Sequence, residues 1–298
     1  MKYINAVGGL GNQMFCYAFC VGFRQQNKKA FLFVAEPEGS KSYGHQGYEL
    51  EKLFPLIREE ETKYKFHRKY LFFVKKVLKK IPKVYRENFR NFLFQIEEIR
   101  EIKSFVFSEG IYSKSKFINQ FYFGNWQSYK YFKNAETPVR EKFSFNTSLI
   151  SKNTEELANE MNSCNSVSIH IRRDDYMSEK FIDGLGSVCN EEYYRNAINY
   201  ILDNVKDTRF YVFTDDHKWV SENLKVNSAT FVKFNCNENS WQDMFLMSKC
   251  KHNIIANSTF SWWGAWLNCF QDKIVIAPKR WWSTLKKDDV IPEDWVRL

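Results

Sequence analysis

The chain has 298 residues, of which 44% are hydrophobic and 27% are charged, a balance that is typical of globular proteins and excludes general disorder. Its formal net charge of +9 is concentrated in residues 63–90, which carry eleven Lys and Arg side chains against one Glu. The rest of the chain is nearly neutral, which excludes a protein that binds polyanions over its whole surface.

Three further absences bound the class of protein. No apolar run approaches the roughly 20 residues needed to span a bilayer, and no secretory leader follows Met1. The seven cysteines contain no C-x-x-C pair, which predicts reduced thiols that act as small core residues. We therefore expect a cytoplasmic protein.

The first elements predict a βαβ unit, and so a Rossmann-like layer. A strand over 2–7 leads into the glycine turn Gly8-Gly9-Leu10-Gly11-Asn12-Gln13, followed by a helix to about residue 27 and a strand over 31–34. Glycines let a backbone approach a ligand closely, but the turn is not G-x-G-x-x-G. On its own, the turn favours a plain structural role over an anion site.

Two segments follow that the pattern leaves open. Residues 36–49 form a polar loop that carries His45 and Glu49, and a lone loop histidine is more often solvated than catalytic. In the basic segment 63–90, apolar residues recur at helical spacing up to Pro82. This pattern predicts either a surface helix with a lysine-rich face or an amphipathic helix on anionic lipid, which would make the protein peripheral at the inner face of a membrane.

A connecting region over 138–165 places the domain boundary near residue 150, with domains over 1–150 and 151–298. Strands and helices then alternate from 167 to 277 through about five strands, which predicts a parallel sheet with right-handed crossovers. Tyr and Trp side chains around Gly124 suit either a sugar face or core packing.

The strand at 167–171 ends in Arg172-Arg173-Asp174-Asp175-Tyr176. The carboxyl ends of parallel strands are where such sheets bind ligands, and guanidinium matches phosphate oxygens with a planar fork of donors. A self-neutralised loop is the alternative at this point. Further along, Ser258 and Thr259 precede a predicted helix, where they act either as an N-cap or as phosphate ligands. Two anion-binding signals at one sheet edge favour a diphosphate, and Asp174-Asp175 and Asp215-Asp216 lack the D-x-D pattern of a metal site.

These blocks resemble a known family. His170-x-Arg172-Arg173-x-Asp175-Tyr176 is similar to the motif shared by α-1,2- and α-1,6-fucosyltransferases. Together with the turn at 8–15, the stretch 213–216 and Asn257-Ser258-Thr259-Phe260-Ser261, it resembles the bacterial α-1,2-fucosyltransferases of glycosyltransferase family 11.

The resemblance implies a GT-B architecture, α/β in class, in which two Rossmann-like domains with parallel sheets face each other. It also implies that the domain over 1–150 binds the acceptor and the domain over 151–298 binds GDP-β-L-fucose. The implied reaction is an inverting transfer of L-fucose to the 2-hydroxyl of a terminal galactose, in a glycan that can be lipid-linked. The family requires no metal and no cofactor.

The resemblance also assigns roles by position. Arg172 is the principal diphosphate ligand, with Arg173 beside it and Asp175 orienting the pair. Ser258 and Thr259 bind phosphate through hydroxyl and amide groups. For the remaining donor contacts, the resemblance implies His170 in the motif and Phe260 near the guanine. It also implies Asp243 at the guanine amino edge and Asn12 facing the fucose.

The implied chemistry agrees with these residue types. Breaking a sugar–phosphate bond leaves growing negative charge on the diphosphate, which guanidinium groups and a helix N-terminus stabilise most strongly in the transition state. Inversion also requires a base for the acceptor proton, and Asp175, Glu179 and Asp183 remain candidates.

Two alternatives remain at the level of sequence. The first is another fucosyl linkage, either α-1,6 or transfer to protein. The second is a non-catalytic protein that uses 63–90 to bind membranes or nucleic acid, although we expect no nucleic-acid partner for the enzyme itself.

Overall fold

The computed structural model describes residues 1–34, 46–64, 95–113, 118–224, 226 and 229–298, with isolated positions between 65 and 94. Most of the predicted basic helix of 63–90, 18 of its 28 residues, lies outside the described residues, and His45 lies outside them as well. The chain divides into two compact units, unit 1 over Met1–Asn146 and unit 2 over Thr147–Leu298.

Unit 1 is built on a parallel sheet of four strands in the order β2-β1-β4-β3. The strands are β1 (Lys2–Asn5), β2 (Ala30–Phe33), β3 (Ile96–Arg100) and β4 (Asn119–Phe123). The described α-helices of unit 1 are α1 (Leu10–Gln25), α2 (Leu50–Leu53), α3 (Pro55–Lys63) and α4 (Glu136–Lys142).

The predicted βαβ opening is confirmed, but its turn is shorter than expected. Helix α1 begins at Leu10, so Asn12 and Gln13 belong to its first turn rather than to a loop. Gly8 makes this tight entry possible because it adopts a φ of +70°, which other residues reach only with strain. The side chains of Asn12 and Gln13 are therefore fixed by a helix directly after β1.

Helix α1 forms the centre of unit 1 and is buried over nearly its whole length. Phe19 stacks on Trp126 with ring centroids 4.5 Å apart. Gly22 lets the helix approach the chain at Tyr131, because a Cβ there would lie 2.1 Å from the Tyr131 carbonyl oxygen. A core helix packed this tightly holds the residues of its first turn in place.

Unit 2 is built on a parallel sheet of six strands in the order β10-β9-β8-β5-β6-β7. The strands are β5 (Asn165–Ile171), β6 (Thr208–Thr214), β7 (Ala229–Val232), β8 (His252–Ile254), β9 (Val275–Ala277) and β10 (Val296–Arg297). Its α-helices are α5 (Lys152–Ser163), α6 (Glu191–Asn204), α7 (His217–Asn223), α8 (Trp241–Lys249) and α9 (Thr259–Leu267).

The chain leaves β5 toward β6 and β7 on one side and returns to β8 on the other. Counted within unit 2, this is the order 3-2-1-4-5-6 of Rossmann folds, whose ligand crevice lies at the carboxyl ends of the two strands where the direction changes. Those strands are β5 and β8. The predicted α/β class with two parallel sheets is confirmed. The expectation that the strand at 274–277 is the last strand was wrong, because β10 adds a sixth strand.

Tryptophans hold α9 in the core of unit 2. Trp262, Trp263 and Trp266 are buried, and burial of each such side chain contributes about 1.5–3 kcal/mol or more. Gly264 lets α9 pack closely on α8, since a Cβ there would lie 2.7 Å from the Met247 Cβ. The N-terminus of α9 is thereby fixed at the carboxyl end of β8.

All seven cysteines are free thiols, and four of them are buried as expected for small core residues, namely Cys16, Cys20, Cys189 and Cys250. Within the described part of the chain, no helix combines the length and the apolar character that crossing a bilayer requires.

Candidate functional site at the carboxyl edges of the two sheets

The carboxyl end of β5 presents Arg172. The strand is central and buried through Ile171, after which the chain turns out of the sheet. The guanidinium bonds the carboxylate of Asp175 through Nε at 3.0 Å and Nη2 at 2.8 Å, and Nη1 lies 3.0 Å from Asp215 Oδ2. Arg172 is partly buried, which would lower its pKa, but the two carboxylates raise its pKa above the usual value. The side chain is a fixed cation.

Arg173 is anchored to the end of β6. Its backbone N–H donates to Asp215 Oδ1 at 2.8 Å, and its Nε donates to Asp216 Oδ2 at 3.2 Å. Its guanidinium carbon lies 4.1 Å from the centre of the Trp219 ring, a cation–π contact. Asp216 also caps α7 by accepting the N–H of Trp219, which lowers the pKa of Asp216. Two aspartates that follow β6 thus set the positions of two arginines that follow β5.

The self-neutralised alternative is therefore partly right, because carboxylates hold both guanidinium groups. Arg172 nevertheless has five N–H donors and uses three of them in these bonds, which leaves two for an anion. Its side chain is 32% exposed. The arrangement can bind an anion without dismantling the aspartate contacts.

The second strand of the switch point, β8, leads into α9. Ser258 is the N-cap of α9, and its Oγ accepts the N–H of Phe260 at 3.4 Å. Tyr176 ties the arginine loop to this strand end by donating from its hydroxyl to the Asn257 carbonyl at 3.1 Å. The capping role is thus confirmed for Ser258. Thr259 is the first residue of α9, where helix amides favour negative charge.

His170 and Phe260 also lie at this edge, with ring centroids 5.9 Å apart. His170 is buried, and its Nδ1 has no hydrogen-bond partner among the described residues. Burial, reinforced by the charge of Arg172, lowers the pKa of His170 to about 3. The imidazole is therefore neutral at physiological pH and has an unused ring nitrogen.

Asp243 lies in the first turn of α8, and crossover helices of a parallel sheet begin at its carboxyl edge. Its Oδ1 accepts from Asn235 Nδ2 at 2.8 Å, and Asn235 in turn accepts from Thr154. Burial raises the pKa of Asp243 to about 7, while the Asn235 bond opposes the shift. A carboxylate held this way can accept hydrogen bonds from a polar ligand edge.

The three predicted base candidates differ in surroundings. Asp175 is committed to Arg172. Glu179 is exposed and has no hydrogen bond or ion pair within the described residues. Asp183 is exposed as well, and its backbone carbonyl accepts from Ser187 at 3.0 Å. The structure brings the first of these to the arginine pair.

The corresponding edge of unit 1 is lined by amides. In its sheet, β1 and β4 are the two central strands and lie next to each other. Asn12 follows β1 and Gln127 follows β4. Asn12 Oδ1 accepts from Gln127 Nε2 at 2.8 Å. Gln127 is buried, and its Oε1 has no hydrogen-bond partner within the part of the chain that the structure describes. This edge suits a ligand that offers neutral hydroxyl groups.

Sequence reasoning gave Asp215 and Asp216 a different meaning. In the sequence they were part of the family resemblance and were weighed against a metal role, which their spacing did not favour. The structure places them against Arg172 and Arg173. The pairing joins residues more than 40 positions apart, so only the strand order β5-β6 reveals it. Among the described residues, no group of three or more His, Cys, Asp or Glu side chains is arranged to hold a metal ion.

The parallel sheet of unit 2, with cations and a helix N-terminus at its switch point, places the chain among α/β proteins with a Rossmann-type sheet. Comparison with known families then gives the particular family. The chain belongs to Glycosyl transferase family 11, whose profile matches residues 1–298.

Individual relatives agree with this membership. An alpha-1,2-colitosyltransferase of Escherichia coli is 34% identical over 302 aligned residues, which cover 98% of this chain and 96% of the relative. The O-antigen biosynthesis glycosyltransferase WbnK of Escherichia coli is 45% identical over 136 residues, 45% of each chain. Among solved structures, the fucosyltransferase NodZ from Bradyrhizobium aligns over 88% of this chain and 91% of its own, with 13% identity and a TM-score of 0.47.

Proposed function

We propose that this protein transfers L-fucose from GDP-β-L-fucose to the 2-hydroxyl of a terminal galactose, with inversion and without a metal. The observation that carries the proposal is the pair Arg172 and Arg173 at the end of β5, beside the N-terminus of α9. This is the switch point of the unit 2 sheet, where α/β folds bind nucleotides. Membership of Glycosyl transferase family 11 supports transfer of a sugar.

The arginine pair fits the departing group. As the bond between the anomeric carbon and the diphosphate breaks, negative charge grows on the diphosphate oxygens. The two free N–H groups of Arg172 and the amides of α9 are donors that stabilise this charge without a metal ion. Because the aspartates of β6 hold the guanidinium groups in place, little reorganisation accompanies the reaction.

The same edge offers groups for a guanosine. Phe260 provides a ring face, and neutral His170 has a buried nitrogen that lacks a partner among the described residues. Asp243 provides carboxylate oxygens, which match the amino and imino N–H groups of guanine. These features support GDP as the nucleotide.

Colitosyl transfer is a second candidate, favoured by the relative that is 34% identical over 98% of this chain. Colitose is L-fucose without the 3-hydroxyl, so both donors would present the same diphosphate to Arg172. The α-1,2 linkage in the name of that relative supports attack by a 2-hydroxyl in either case.

The test is release of GDP in the presence of EDTA, with GDP-fucose and GDP-colitose as separate donors. Lactose, N-acetyllactosamine and a type 1 galactoside serve as separate acceptors. We expect acceptor-dependent release from GDP-fucose, and NMR of the product should show an α-fucosyl linkage to O2 of galactose.

Each alternative outcome has a distinct meaning. Release from GDP-colitose alone would favour the second candidate. Transfer to another hydroxyl would overturn the linkage, and activity that returns only after a divalent cation is added would overturn metal independence. No GDP binding by calorimetry would overturn the proposed donor site itself.

A further inference from the structure

A cavity of about 760 Å³ lies in unit 1 beside the last strands of its sheet. Its lining comes from β3 and β4, from residues that follow these strands, and from the segment 102–113. Sites that enclose small organic ligands typically have volumes of about 300–1,000 Å³. The described residues that line the cavity all belong to unit 1, so this unit forms it without help from unit 2.

Tyr131 holds the segment 102–113 in place across the cavity. The Tyr131 hydroxyl accepts the backbone N–H of Ser108 at 3.1 Å, and its carbonyl accepts from the Tyr112 hydroxyl at 2.7 Å. The rings of Phe107 and Tyr131 pack with their centroids 4.9 Å apart. The cavity is therefore formed before a ligand arrives, which lowers the cost of ordering on binding.

Glu101, directly after β3, gives the cavity a carboxylate in a fixed position. Its Oε2 accepts the backbone N–H of Asn125 at 2.9 Å, and the backbone N–H of Trp126 bonds the same carboxylate. A carboxylate offers about four acceptor positions, so these two bonds leave capacity for a ligand. Glu97, on β3, lines the same cavity, and its Oε2 accepts from Gln120 Nε2 at 2.6 Å.

Trp126 also lines the cavity, and its indole N–H is unused. The side chain is 1% exposed, yet Nε1 has no hydrogen-bond partner among the described residues. Cε2, the ring atom bonded to Nε1, lies 3.2 Å from the point that a Cβ on Gly124 would occupy, and Glu101 Oε2 lies 2.9 Å from that point. Glycine at position 124 therefore lets the indole edge and the carboxylate come together. A buried N–H is costly unless a ligand or a water molecule bonds it.

The charges of the lining side chains favour a neutral ligand. The carboxylates of Glu97 and Glu101 are balanced by Arg100 and Lys103, which are exposed. Most of the other lining side chains are apolar or aromatic. A sugar matches this mixture, because its hydroxyl groups both donate to carboxylates and accept from an indole N–H, while its C–H groups pack on apolar side chains.

We propose that this cavity binds a neutral oligosaccharide, with Glu101 accepting from the sugar hydroxyl groups and Trp126 Nε1 donating to one of them. The inference deepens the proposed function, on which the choice of galactose-containing probes rests, by naming the place in unit 1 that holds the glycan. Binding at this site requires neither GDP-fucose nor any residue of unit 2.

Hydrogen–deuterium exchange of the full chain locates the site, with lactose and N-acetyllactosamine as probes and without GDP. We expect both sugars to slow exchange of the backbone amides in 101–113. Absence of protection there would overturn the proposal, and protection confined to 8–13 would place the glycan at Asn12 instead. Inorganic diphosphate is the anionic probe. Protection of 101–113 by diphosphate but by neither sugar would overturn the neutral class of ligand.

Calorimetry with lactose tests the named groups. We expect the Kd to rise about tenfold in Glu101→Gln, because hydrogen bonds to a charged acceptor are weakened. Glu98→Gln removes the same charge from an exposed position on β3 outside the cavity and should stay within twofold of wild type. Val106→Trp, which adds bulk to the lining, should abolish lactose binding, and all three variants should bind GDP as wild type does. Unchanged lactose affinity in both Glu101→Gln and Val106→Trp would overturn the proposal.

The exchange experiment on wild type decides the question if a variant fails to fold. Transfer of fucose by wild type without protection of 101–113 would overturn this inference and leave the proposed function standing. Protection of 101–113 by the sugars, without transfer to any acceptor, would support this inference and count against the proposed function.

Discussion

The carboxyl edges of the two parallel sheets have similar backbone geometry but carry different side chains. At the edge of unit 2, arginines and aspartates from neighbouring strands form a network of ion pairs. At the edge of unit 1, the amide side chains of Asn12 and Gln127 bond each other. The difference teaches that a parallel sheet supplies only the position of a site. The side chains at its edge decide whether the ligand is an anion or a neutral polyol.

The largest expected effect comes from removing the planar cation. Arg172→Lys keeps the charge but loses the fork that bonds Asp175, Asp215 and an anion together. We expect kcat to fall about 10³-fold, in line with loss of a preorganised donor to a developing oxyanion. The measurement is single-turnover transfer from GDP-fucose. Arg195→Lys, on the exposed face of α6, is the matched control and should behave as wild type. A kcat within tenfold of wild type in Arg172→Lys would show that the network is structural.

A smaller loss of activity should follow when the contacts that position Arg172 and Arg173 are weakened and both arginines are kept. Asp215→Asn weakens the contacts to Nη1 of Arg172 and to the backbone N–H of Arg173. We expect kcat/KM for GDP-fucose to fall about tenfold, because misplaced catalytic groups lose rate steeply with distance. Tighter GDP binding in this variant would instead mean that Asp215 competes with the nucleotide for Arg172.

Gln127→Leu tests whether the edge of unit 1 binds the acceptor, because the substitution removes the hydrogen bond to Asn12. We expect KM for the galactoside acceptor to rise about fivefold, since one hydrogen bond contributes about 1 kcal/mol. Initial rates at varied acceptor concentration measure this change. GDP affinity, measured by calorimetry, should stay unchanged, and a loss of GDP affinity would place Gln127 with the donor.

The smallest effect concerns stability. Because the folded-state pKa of Asp243 is about 7 and the unfolded value is about 4, its burial costs stability as pH rises through that window. Asp243→Asn should therefore make the ligand-free protein more stable than wild type by about 1–2 kcal/mol at pH 8, with little difference at pH 4. Urea unfolding at both pH values measures it. Asp203→Asn, at an exposed position on α6, is the matched control for the loss of one carboxylate. An unchanged stability at pH 8 would show that Asp243 is well solvated.

The sequence predicted unit 2 more completely than unit 1. Each central strand of unit 2 is a short apolar run that ends in a polar motif, so the alternation of strands and helices was visible. The strand β10 has only two residues, too few for a periodic pattern. In unit 1, β3 reads I-E-E-I-R, with charged residues at three of its five positions, so no strand was predicted there.

The residues of the candidate site were likewise predicted only in part. Arg172, Arg173 and Ser258 were found because each follows a recognisable strand. The partners of the arginines were not, because contacts across a sheet depend on strand order rather than on spacing. Glu101 was not predicted either, because it follows β3, a strand that the sequence did not reveal.

The contact between Arg173 and Trp219 has an optical consequence. Five of the nine tryptophans, Trp126, Trp241, Trp262, Trp263 and Trp281, are fully enclosed and should emit a constant blue-shifted background. Trp219 is partly exposed and lies against a guanidinium group 4.1 Å away. An anion that draws this cation off the ring will change the indole emission, so stopped-flow fluorescence of the unlabelled protein is a direct test of the proposed GDP site.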